Sequence, residues 1–183
     1  SYIGNEGNCI YVNELAYDMG FRNGDKILIF DDYVQENFGM LQADLARQSV
    51  KKATVLRDGD TLNIYIDQNR IGEILQNPGM FDLAVPFIVA EVSETSPNKA
   101  LDIQAGDRIV NIAGTETEFL QDARPILMEH AGDTVVTTLT RGTDSLALTV
   151  QVDTAGTIGV FLQRPAIKTK EYTLLSAIPG GFA

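Results

Sequence analysis

The sequence predicts an α+β protein, mostly β, built from two similar small domains in tandem. Each domain is expected to be a partly open antiparallel barrel with one long helix and a short extra helix. The chain has 183 residues, of which 44% are hydrophobic and 21% are charged, and this composition suits two ordinary globular cores. The chain also repeats its own pattern at an offset of roughly 80 residues, which indicates a duplicated domain.

The internal repeat consists of matched pairs of segments. They are residues 20–29 with 102–111, 56–62 with 140–146, and 70–72 with 157–159. In the first pair, an apolar residue precedes a Gly-Asp step, a basic residue and a β-branched run. An offset that drifts by a few positions indicates small loop insertions. We therefore expect domains at residues 1–82, with a seam strand at its end, and 83–165, followed by an exit linker at 166–183.

Each copy has the same predicted order of elements. A first apolar strand is expected at residues 9–12 and again at 87–92, and the Gly-Asp steps supply tight turns. In the first copy, Phe38, Leu41 and Leu45 recur at helical spacing and predict the long helix.

The helix of the second copy is marked by capping residues. Asp122 is the predicted N-cap, Pro125 falls in the first turn, and Gly132 follows the C-terminus. Ser96 and Pro97 predict the short extra helix in the same way. The hairpins that close the copies are predicted at residues 53–56 with 61–66, and 134–139 with 146–152.

Charge and composition exclude several classes of function. The net charge of −11 disfavours binding to nucleic acid or anionic lipid headgroups. Cys9 is the one cysteine, so it cannot form an internal disulfide, and its apolar surroundings predict a buried strand residue. The sequence contains no apolar run of 18 residues, so we expect no transmembrane segment within the chain.

No catalytic arrangement is recognisable in the sequence. His130 is the one histidine, and it belongs to no Cys-His or Ser-His-Asp pattern. Asp31, Asp32 and Glu36 could surround a metal ion, but a solvated turn is the better interpretation. We therefore expect this chain to have no catalytic residues, metal ligands or cofactor.

Particular residues of the second copy resemble the core signature of bacterial PDZ domains. They are the apolar strand at residues 87–92, the Ser-Pro-Ala turn within 96–100, and the Gly-Asp-x-Ile element within 102–114. The first copy resembles this signature at residues 20–27, whereas residues 15–18 replace its Ser-Pro step. The resemblance implies two PDZ-like domains that together cover most of the chain.

The pair also resembles the tandem periplasmic PDZ insert of site-2-type intramembrane zinc metalloproteases, the regulator-of-sigma-E protease group. In that group an Ile-Gly-Val strand and a short amphipathic segment lead to a membrane helix, as residues 158–160 and 172–179 would here. The resemblance implies a location on the periplasmic face of the bacterial inner membrane and a protease membrane domain in cis. It also implies zinc in the parent enzyme, whose His-Glu-x-x-His motif this chain lacks.

The PDZ resemblance implies peptide binding by β-augmentation. A peptide adds as a strand beside a helix, and its C-terminal carboxylate accepts hydrogen bonds from backbone N–H groups. The implied partners are the C-termini of substrate proteins or peptides. The predicted peptide-binding residues are Phe87, Ile88, Val89, Ala90, Leu127 and His130 in the second copy, and Cys9, Ile10, Tyr11, Leu41 and Leu45 in the first.

Other parents remain open at this stage. In an intramembrane protease, the pair would bind substrates or admit only those whose outer domain has been removed. In a soluble periplasmic serine protease and chaperone, a Gly-Asn-Ser-Gly-Gly motif would lie upstream. A scaffold or secretion adaptor would bind a C-terminal peptide tightly with no protease in its parent.

Overall fold

The computed structural model describes residues 2–165, 167 and 168, which divide into two compact units. The first unit contains the chain up to Leu83 and the described residues from Pro165 onward, and the second is Ala84–Arg164. The prediction of a mostly-β, α+β fold is confirmed, because antiparallel sheets dominate both units. None of the helices in this described part is long and apolar enough to cross a bilayer.

Short strands and helices alternate in the first unit. Turns of 3-10 helix at Phe38–Met40 and Gln68–Arg70 lead into its second and third helices. In chain order the elements are β1 (Tyr2–Ile3), β2 (Ile10–Val12), α1 (Glu14–Met19), β3 (Lys26–Phe30), β4 (Tyr33–Val34), α2 (Leu41–Arg47), β5 (Lys52–Arg57), β6 (Asp60–Tyr65), α3 (Ile71–Ile74) and β7 (Phe81–Leu83).

The second unit contains a single α-helix within the described residues. Its elements are β8 (Val89–Val92), β9 (Arg108–Ile112), β10 (Thr115–Glu116), α4 (Leu120–Glu129), β11 (Thr134–Arg141), β12 (Asp144–Gln151) and β13 (Val160–Leu162). The last strand, β14 (Ile167–Lys168), pairs with β1 of the first unit, so this part of the predicted exit linker is a strand. Residues 169–183, with the predicted amphipathic segment at 172–179, lie outside the described residues.

The two units have the same sheet topology. A four-stranded antiparallel sheet has the order β4-β3-β5-β6 in the first unit and β10-β9-β11-β12 in the second. A separate two-stranded sheet accompanies it, β2-β7 in the first unit and β13-β8 in the second. The long helix, α2 or α4, lies in the chain between the two hairpins of each larger sheet. The seam strand predicted at the end of the first domain corresponds to a paired strand, β7.

Each unit has its own hydrophobic core. In the first unit the rings of Phe21 and Phe81 meet edge to face, with centroids 4.9 Å apart. In the second, alternate residues of β11 point inward, so Val135, Thr137 and Leu139 are buried. The larger sheet of the second unit thus has one face on the core.

The long helix of the second unit begins earlier than the sequence predicts. Its first residue is Leu120, and Phe119 occupies the N-cap position. The Asp122 carboxylate accepts a hydrogen bond of 2.9 Å from the Phe119 N–H, so Asp122 is the third helical residue and not the cap. Pro125 consequently lies inside the helix.

The short extra helix forms in the first unit only. Asn13 caps α1 by accepting a hydrogen bond from the Ala16 N–H at 2.9 Å. The prediction of a matching helix at residues 96–100 is wrong, because those residues form turns. The Ser96 hydroxyl accepts from the Asn98 N–H at 3.0 Å and also donates to the carbonyl of Ile158, which lies far along the chain.

An aspartate–arginine pair occurs at equivalent places in the two units. Arg57 Nε and Nη2 each donate to a carboxylate oxygen of Asp25 at 2.8 Å. Arg141 donates in the same way to Asp107, again at 2.8 Å for both bonds. Both aspartates are buried. Each pair therefore joins the Gly-Asp turn to the end of the first hairpin strand, β5 or β11.

The buried carboxylates have further partners. Asp25 Oδ2 accepts from the Arg22 N–H, and Asp107 Oδ2 accepts from the Gln104 N–H, both at 2.8 Å. Bidentate, charge-assisted bonds are the strong ones, and they compensate here for removing the carboxylates from water. The Arg141 guanidinium holds the pKa of Asp107 below its usual range.

We expect Asp107→Asn to lower the free energy of unfolding of the second unit by about 2–4 kcal/mol, because it breaks a buried pair. Urea unfolding and amide hydrogen exchange of β9 and β11 measure the loss. Since the folded pKa of Asp107 is depressed, its stabilisation is present above the unfolded pKa of about 4 and is lost as the pH falls through the lower folded pKa. The difference in the free energy of unfolding between wild type and variant should therefore disappear at acid pH.

The matched control is Asp144→Asn, which changes an exposed aspartate in the β11–β12 hairpin. It removes the same charge and should leave stability within about 0.5 kcal/mol of wild type. Equal losses in the two variants would contradict a special role for the buried pair.

Candidate functional site

A cavity of about 320 Å³ lies in the second unit between α4 and β13. One wall is a single face of α4, formed by Leu120, Arg124 and Leu127 at helical spacing. The Phe87 side chain and residues 156–160 with Leu162 complete the lining. The cavity is therefore mostly apolar, and Arg124 is its one charged lining residue.

The strand β13 has a free edge beside this cavity. The Gly159 carbonyl accepts a hydrogen bond of 2.8 Å from the Ser93 N–H, just after β8. The Gln163 N–H donates one of 2.9 Å to the Ile88 carbonyl, just before β8. Backbone groups alternate in direction along an antiparallel strand, so those of Val160 and Leu162 point away from β8. Within the described residues β13 pairs with no other strand. This edge is open to an added strand.

The loop before β13 is anchored from the protein interior. The Ile158 carbonyl accepts hydrogen bonds from Ser96 Oγ and Asn98 Nδ2, both at 2.9 Å, and both donors belong to buried residues. In a trans peptide the carbonyl and the following N–H point in opposite directions, so the Gly159 N–H points away from these anchors. Within the described residues, neither the Ile158 nor the Gly159 N–H donates a hydrogen bond. The loop thus offers two backbone donors to a ligand.

Asp153 orders the turn that enters this loop. Its Oδ1 accepts from the N–H groups of Ala155 and Thr157, both at 2.9 Å, and its Oδ2 accepts from the Thr157 hydroxyl at 2.6 Å. These bonds, the hydroxyl bond first, hold the pKa of Asp153 below its usual range. The carboxylate is therefore charged at neutral pH and already engaged.

Two glycines bring the loop close to its neighbours. Gly156 and Gly159 have φ angles of +80° and +73°. A Cβ on Gly156 would lie 2.3 Å from Met128 Sδ, and one on Gly159 would lie 2.5 Å from Ser96 Oγ. Any larger residue would push the loop away from α4 or from its Ser96 anchor.

The strand residues that were predicted to donate hydrogen bonds to the peptide carboxylate donate them to carbonyl groups of the domain. The N–H of Phe87 donates to Glu118, that of Ile88 to Pro86, and that of Val89 to Asp107. The donor role predicted for them is therefore wrong, because a peptide could not reach these groups without breaking internal bonds. Ala90 lies at the irregularity in the β8–β13 register and does not line the cavity.

Part of the predicted helix wall is found at the cavity. Leu127 lines it, and so does the side chain of Phe87, whereas His130 caps the C-terminus of α4 and is not a lining residue. Sequence reasoning missed the donor loop at residues 157–160. Its signal is the Gly-Thr-Ile-Gly run at residues 156–159 followed by apolar residues, which the sequence pattern alone identifies only as a repeat match and a strand.

The corresponding position in the first unit is closed by Gln42 of α2. Its Nε2 donates to the carbonyls of Ile74 and Asn77 at 2.7 and 2.8 Å, and its Oε1 accepts from the Met80 N–H at 3.2 Å. Met80 follows Gly79, whose φ of +85° matches that of Gly159 before β13. The Gln42 side chain therefore forms hydrogen bonds with backbone groups of the loop before β7. In the corresponding loop of the second unit, the N–H groups of Ile158 and Gly159 have no partner within the described residues.

The five site residues predicted in the first copy do not form a groove. Leu41, Leu45 and Ile10 are completely buried in the core. The Ile10 N–H and carbonyl bond to the Gly-Asp turn, and Tyr11 pairs with β7 on the other side, so β2 has no free edge there. Cys9 is half-buried and precedes the same strand.

We expect Gly159→Ala to displace the loop and lower the free energy of unfolding by about 1–3 kcal/mol, because the Cβ meets Ser96. Urea unfolding and the amide chemical shifts of residues 156–162 measure the effect. Gly142→Ala is the control, since Gly142 also has a positive φ of +61° but open space around its Cβ. Equal effects in both variants would mean that backbone strain alone matters and that contact with Ser96 does not.

Comparison with known proteins agrees with this architecture. Residues 76–152 match the family model for the PDZ domain, which is less than half of the chain. Comparison with curated proteins gives no match.

The solved structures to which the chain is similar include PDZ domains of two SdrC-like proteins. The one from Listeria monocytogenes is 26% identical, covers 41% of this chain and 84% of its own, and has a TM-score of 0.35. The one from Listeria innocua is 24% identical, covers 45% and 99%, and has a TM-score of 0.38. The assignment depends on the family match: the chain contains a PDZ domain, a non-catalytic type of module that binds peptides.

Proposed function

We propose that the chain is a PDZ tandem whose second unit binds the C-terminal end of a peptide or substrate protein between α4 and β13. The observation that carries this proposal is the free edge of β13 beside an apolar cavity. The unpaired N–H groups of Ile158 and Gly159 lie at the entrance to that edge. Such an arrangement supplies every element that β-augmentation requires.

Each part of the peptide has a partner in this arrangement. The peptide backbone pairs with the outward groups of Val160 and Leu162 and extends the β13-β8 sheet. Its terminal carboxylate accepts hydrogen bonds from the loop, where anion-binding N–H groups need no side-chain charge. Its last side chain packs against Leu127 and Phe87, so an apolar terminal residue is favoured.

The first unit has a different role in this proposal. Its shared topology supports descent from the same domain, but Gln42 already bonds the loop that would receive a carboxylate. Peptide binding is thus assigned to the second unit and not to the first.

We further propose that the tandem is the periplasmic regulatory part of a membrane-embedded zinc metalloprotease, acting in regulated intramembrane proteolysis. The paired PDZ signatures and their resemblance to that protease group support this. The zinc would be held by the parent's His-Glu-x-x-His motif, and this chain would recognise or filter substrates for the membrane domain in cis. The coding sequence around the chain tests this: it should encode that motif and hydrophobic segments. A Gly-Asn-Ser-Gly-Gly motif upstream would contradict it.

We expect a decapeptide of glycine and serine ending in a free valine to shift the amide resonances of residues 157–162 and α4 when added to the ¹⁵N-labelled chain. Amidating its carboxylate should weaken binding about tenfold or more, because charge-assisted hydrogen bonds are lost. Leu120→Glu, in the groove wall, should abolish binding. Val136→Glu is the control, since Val136 is 56% exposed and lies outside the groove.

Two results would contradict peptide binding at this groove. One is equal affinity for the acid and the amide, which would exclude recognition of the carboxylate. The other is a set of shifts centred on the first unit, which would mean that Gln42 does not close it.

A further inference from the structure

The Gly-Asp turn of the first unit carries a reactive side chain. Asn23 precedes Gly24 in this turn, and it is the one asparagine of the chain that a glycine follows. The backbone nitrogen of a following glycine attacks a side-chain amide readily, because glycine has no side chain to obstruct the approach. Asn23 is also exposed to solvent. The turn is therefore a position for intramolecular chemistry in addition to its structural role.

The reaction at this step is a hydrolysis that passes through a cyclic imide. The Gly24 nitrogen bonds to Asn23 Cγ and the Cγ–Nδ2 bond breaks, so the proton of the Gly24 N–H leaves with ammonia and a succinimide ring forms. Water then opens the ring at either of its carbonyl carbons. The product is an aspartate or, where the main chain runs through Cγ, an isoaspartate. Water is consumed and ammonia released, and no oxidant or reductant is needed.

Other steps in the chain differ from this one in their chemistry. Asp58 also precedes a glycine, but its carboxylate is a poorer electrophile than an amide, and ring opening restores the original mass. Asn77 precedes Pro78, which has no N–H to lose. A gain in mass therefore reports an asparagine, and Asn23 is the one with a glycine nitrogen beside it.

Both reacting groups of this step are bonded to β2 in the folded chain. The Gly24 N–H donates to the Ile10 carbonyl at 2.9 Å, and this bond holds the proton that must leave. Asn23 Oδ1 accepts from the Val12 N–H at 2.7 Å, and this bond fixes the orientation of the amide. Ring closure therefore requires the turn to separate from β2.

The buried pair of Asp25 and Arg57 holds the turn in place. Arg57 donates two bonds of 2.8 Å to the Asp25 carboxylate, which also accepts from the Arg22 N–H. Parts of a fold open locally with different free energies, and a reaction slower than reclosing follows the population of the open form. The rate of hydrolysis at Asn23 thus depends on how often this turn opens.

The second unit has the same turn without the reactive side chain. Ala105 takes the place of Asn23, since each residue immediately precedes the glycine of its Gly-Asp step. The Gly106 N–H donates to the Val89 carbonyl at 2.8 Å, so the backbone is bonded as in the first unit. The turn therefore does not require a side-chain amide, and the two units differ in this reactivity alone at an equivalent position.

We infer that Asn23 is a site of spontaneous deamidation whose rate is set by release of the Gly-Asp turn from β2. The inference is independent of peptide binding by the second unit. An aspartate product keeps an acceptor for the Val12 N–H. An isoaspartate product adds a methylene group to the main chain before Gly24, so the turn no longer fits β2 and Arg57 together. The isoaspartate form should unfold at a lower urea concentration than the aspartate form.

The test incubates the full chain in mildly alkaline buffer, with and without urea, and then cleaves it with a glutamate-specific protease. Asn23 is the single asparagine between Glu14 and Glu36, so the mass gained by peptide 15–36 reports this residue. The gain should be at least about tenfold slower in the folded chain than in urea, because the turn must open first. Asn23→Ala copies the second unit and should abolish the gain.

A matched pair of arginine variants identifies the turn that controls the rate. Arg57→Gln should accelerate the gain about tenfold or more, because Asp25 loses its buried partner. Arg141→Gln removes the equivalent partner of Asp107 in the second unit and should leave the rate within about twofold of wild type. Both substitutions lie outside peptide 15–36, so the reacting sequence is unchanged.

Amide hydrogen exchange of Gly24 in the wild type keeps the test valid where Arg57→Gln does not fold. Its protection should match the slowing of the mass gain within about threefold, since both report the open turn. Equal rates of gain in the folded and urea-unfolded chain would overturn the inference, and so would a gain that persists in Asn23→Ala. Equal acceleration by Arg57→Gln and Arg141→Gln would also overturn it, because this turn would then not control the reaction.

Discussion

The buried bond between Asp107 and Arg141 fixes the Gly-Asp turn, and the position of the groove depends on that turn. The Asp107 carbonyl accepts the N–H of Val89, and the Gly106 N–H donates to the Val89 carbonyl, both at 2.8 Å. The turn thereby holds β8, and β8 holds β13, whose outer edge is the candidate site. Asp25, with Arg57, holds β2 through Ile10 in the same manner. One charged contact thus sets the frame of each unit.

The two units share a sheet topology but differ at their groove positions, because α2 has Gln42 where α4 has Arg124. In the first unit Gln42 satisfies the backbone of the loop before β7, and the loop packs onto α2. In the second, Arg124 has donors only and cannot accept from a loop N–H, and the cavity beside α4 stays open. Whether this position is open or closed therefore depends on the hydrogen bonds that one side chain can make and not on the sheet topology.

Local patterns predicted most of the fold, because they report contacts between near neighbours in the chain. The hairpins, the Gly-Asp turns and the helix around Leu41 and Leu45 were all found in this way. The bond between Asp107 and Arg141 joins segments that the repeat had marked separately, and no local signal connects them. Each partner's position was visible, but their contact was not.

The candidate site was harder to predict because its strand completes the domain from the far end. β13 lies near the end of the unit in the sequence and pairs with β8 near its start. From the sequence, residues 87–89 therefore look like a strand with a free edge, whereas their N–H groups donate hydrogen bonds within the domain. The third repeat match was also misleading. It aligned Gly159 with Gly72, whereas the glycine with the equivalent backbone conformation before β7 is Gly79. Spatial equivalence followed the strand pairing and not the best local match.

Leaving the Ile158 and Gly159 N–H groups unpaired has a cost that the first unit avoids. Such donors must be solvated when the groove is empty, since a buried unpaired donor costs about 1–3 kcal/mol. A ligand then exchanges water for its carboxylate, and the net gain per bond is modest. In the first unit Gln42 accepts from the Met80 N–H and donates to the carbonyls of Ile74 and Asn77, so that unit gains stability where the second keeps a binding site. The stability of the first unit and the receptiveness of the second are thus opposite results of bonding, or not bonding, the loop that precedes the last strand of the small sheet.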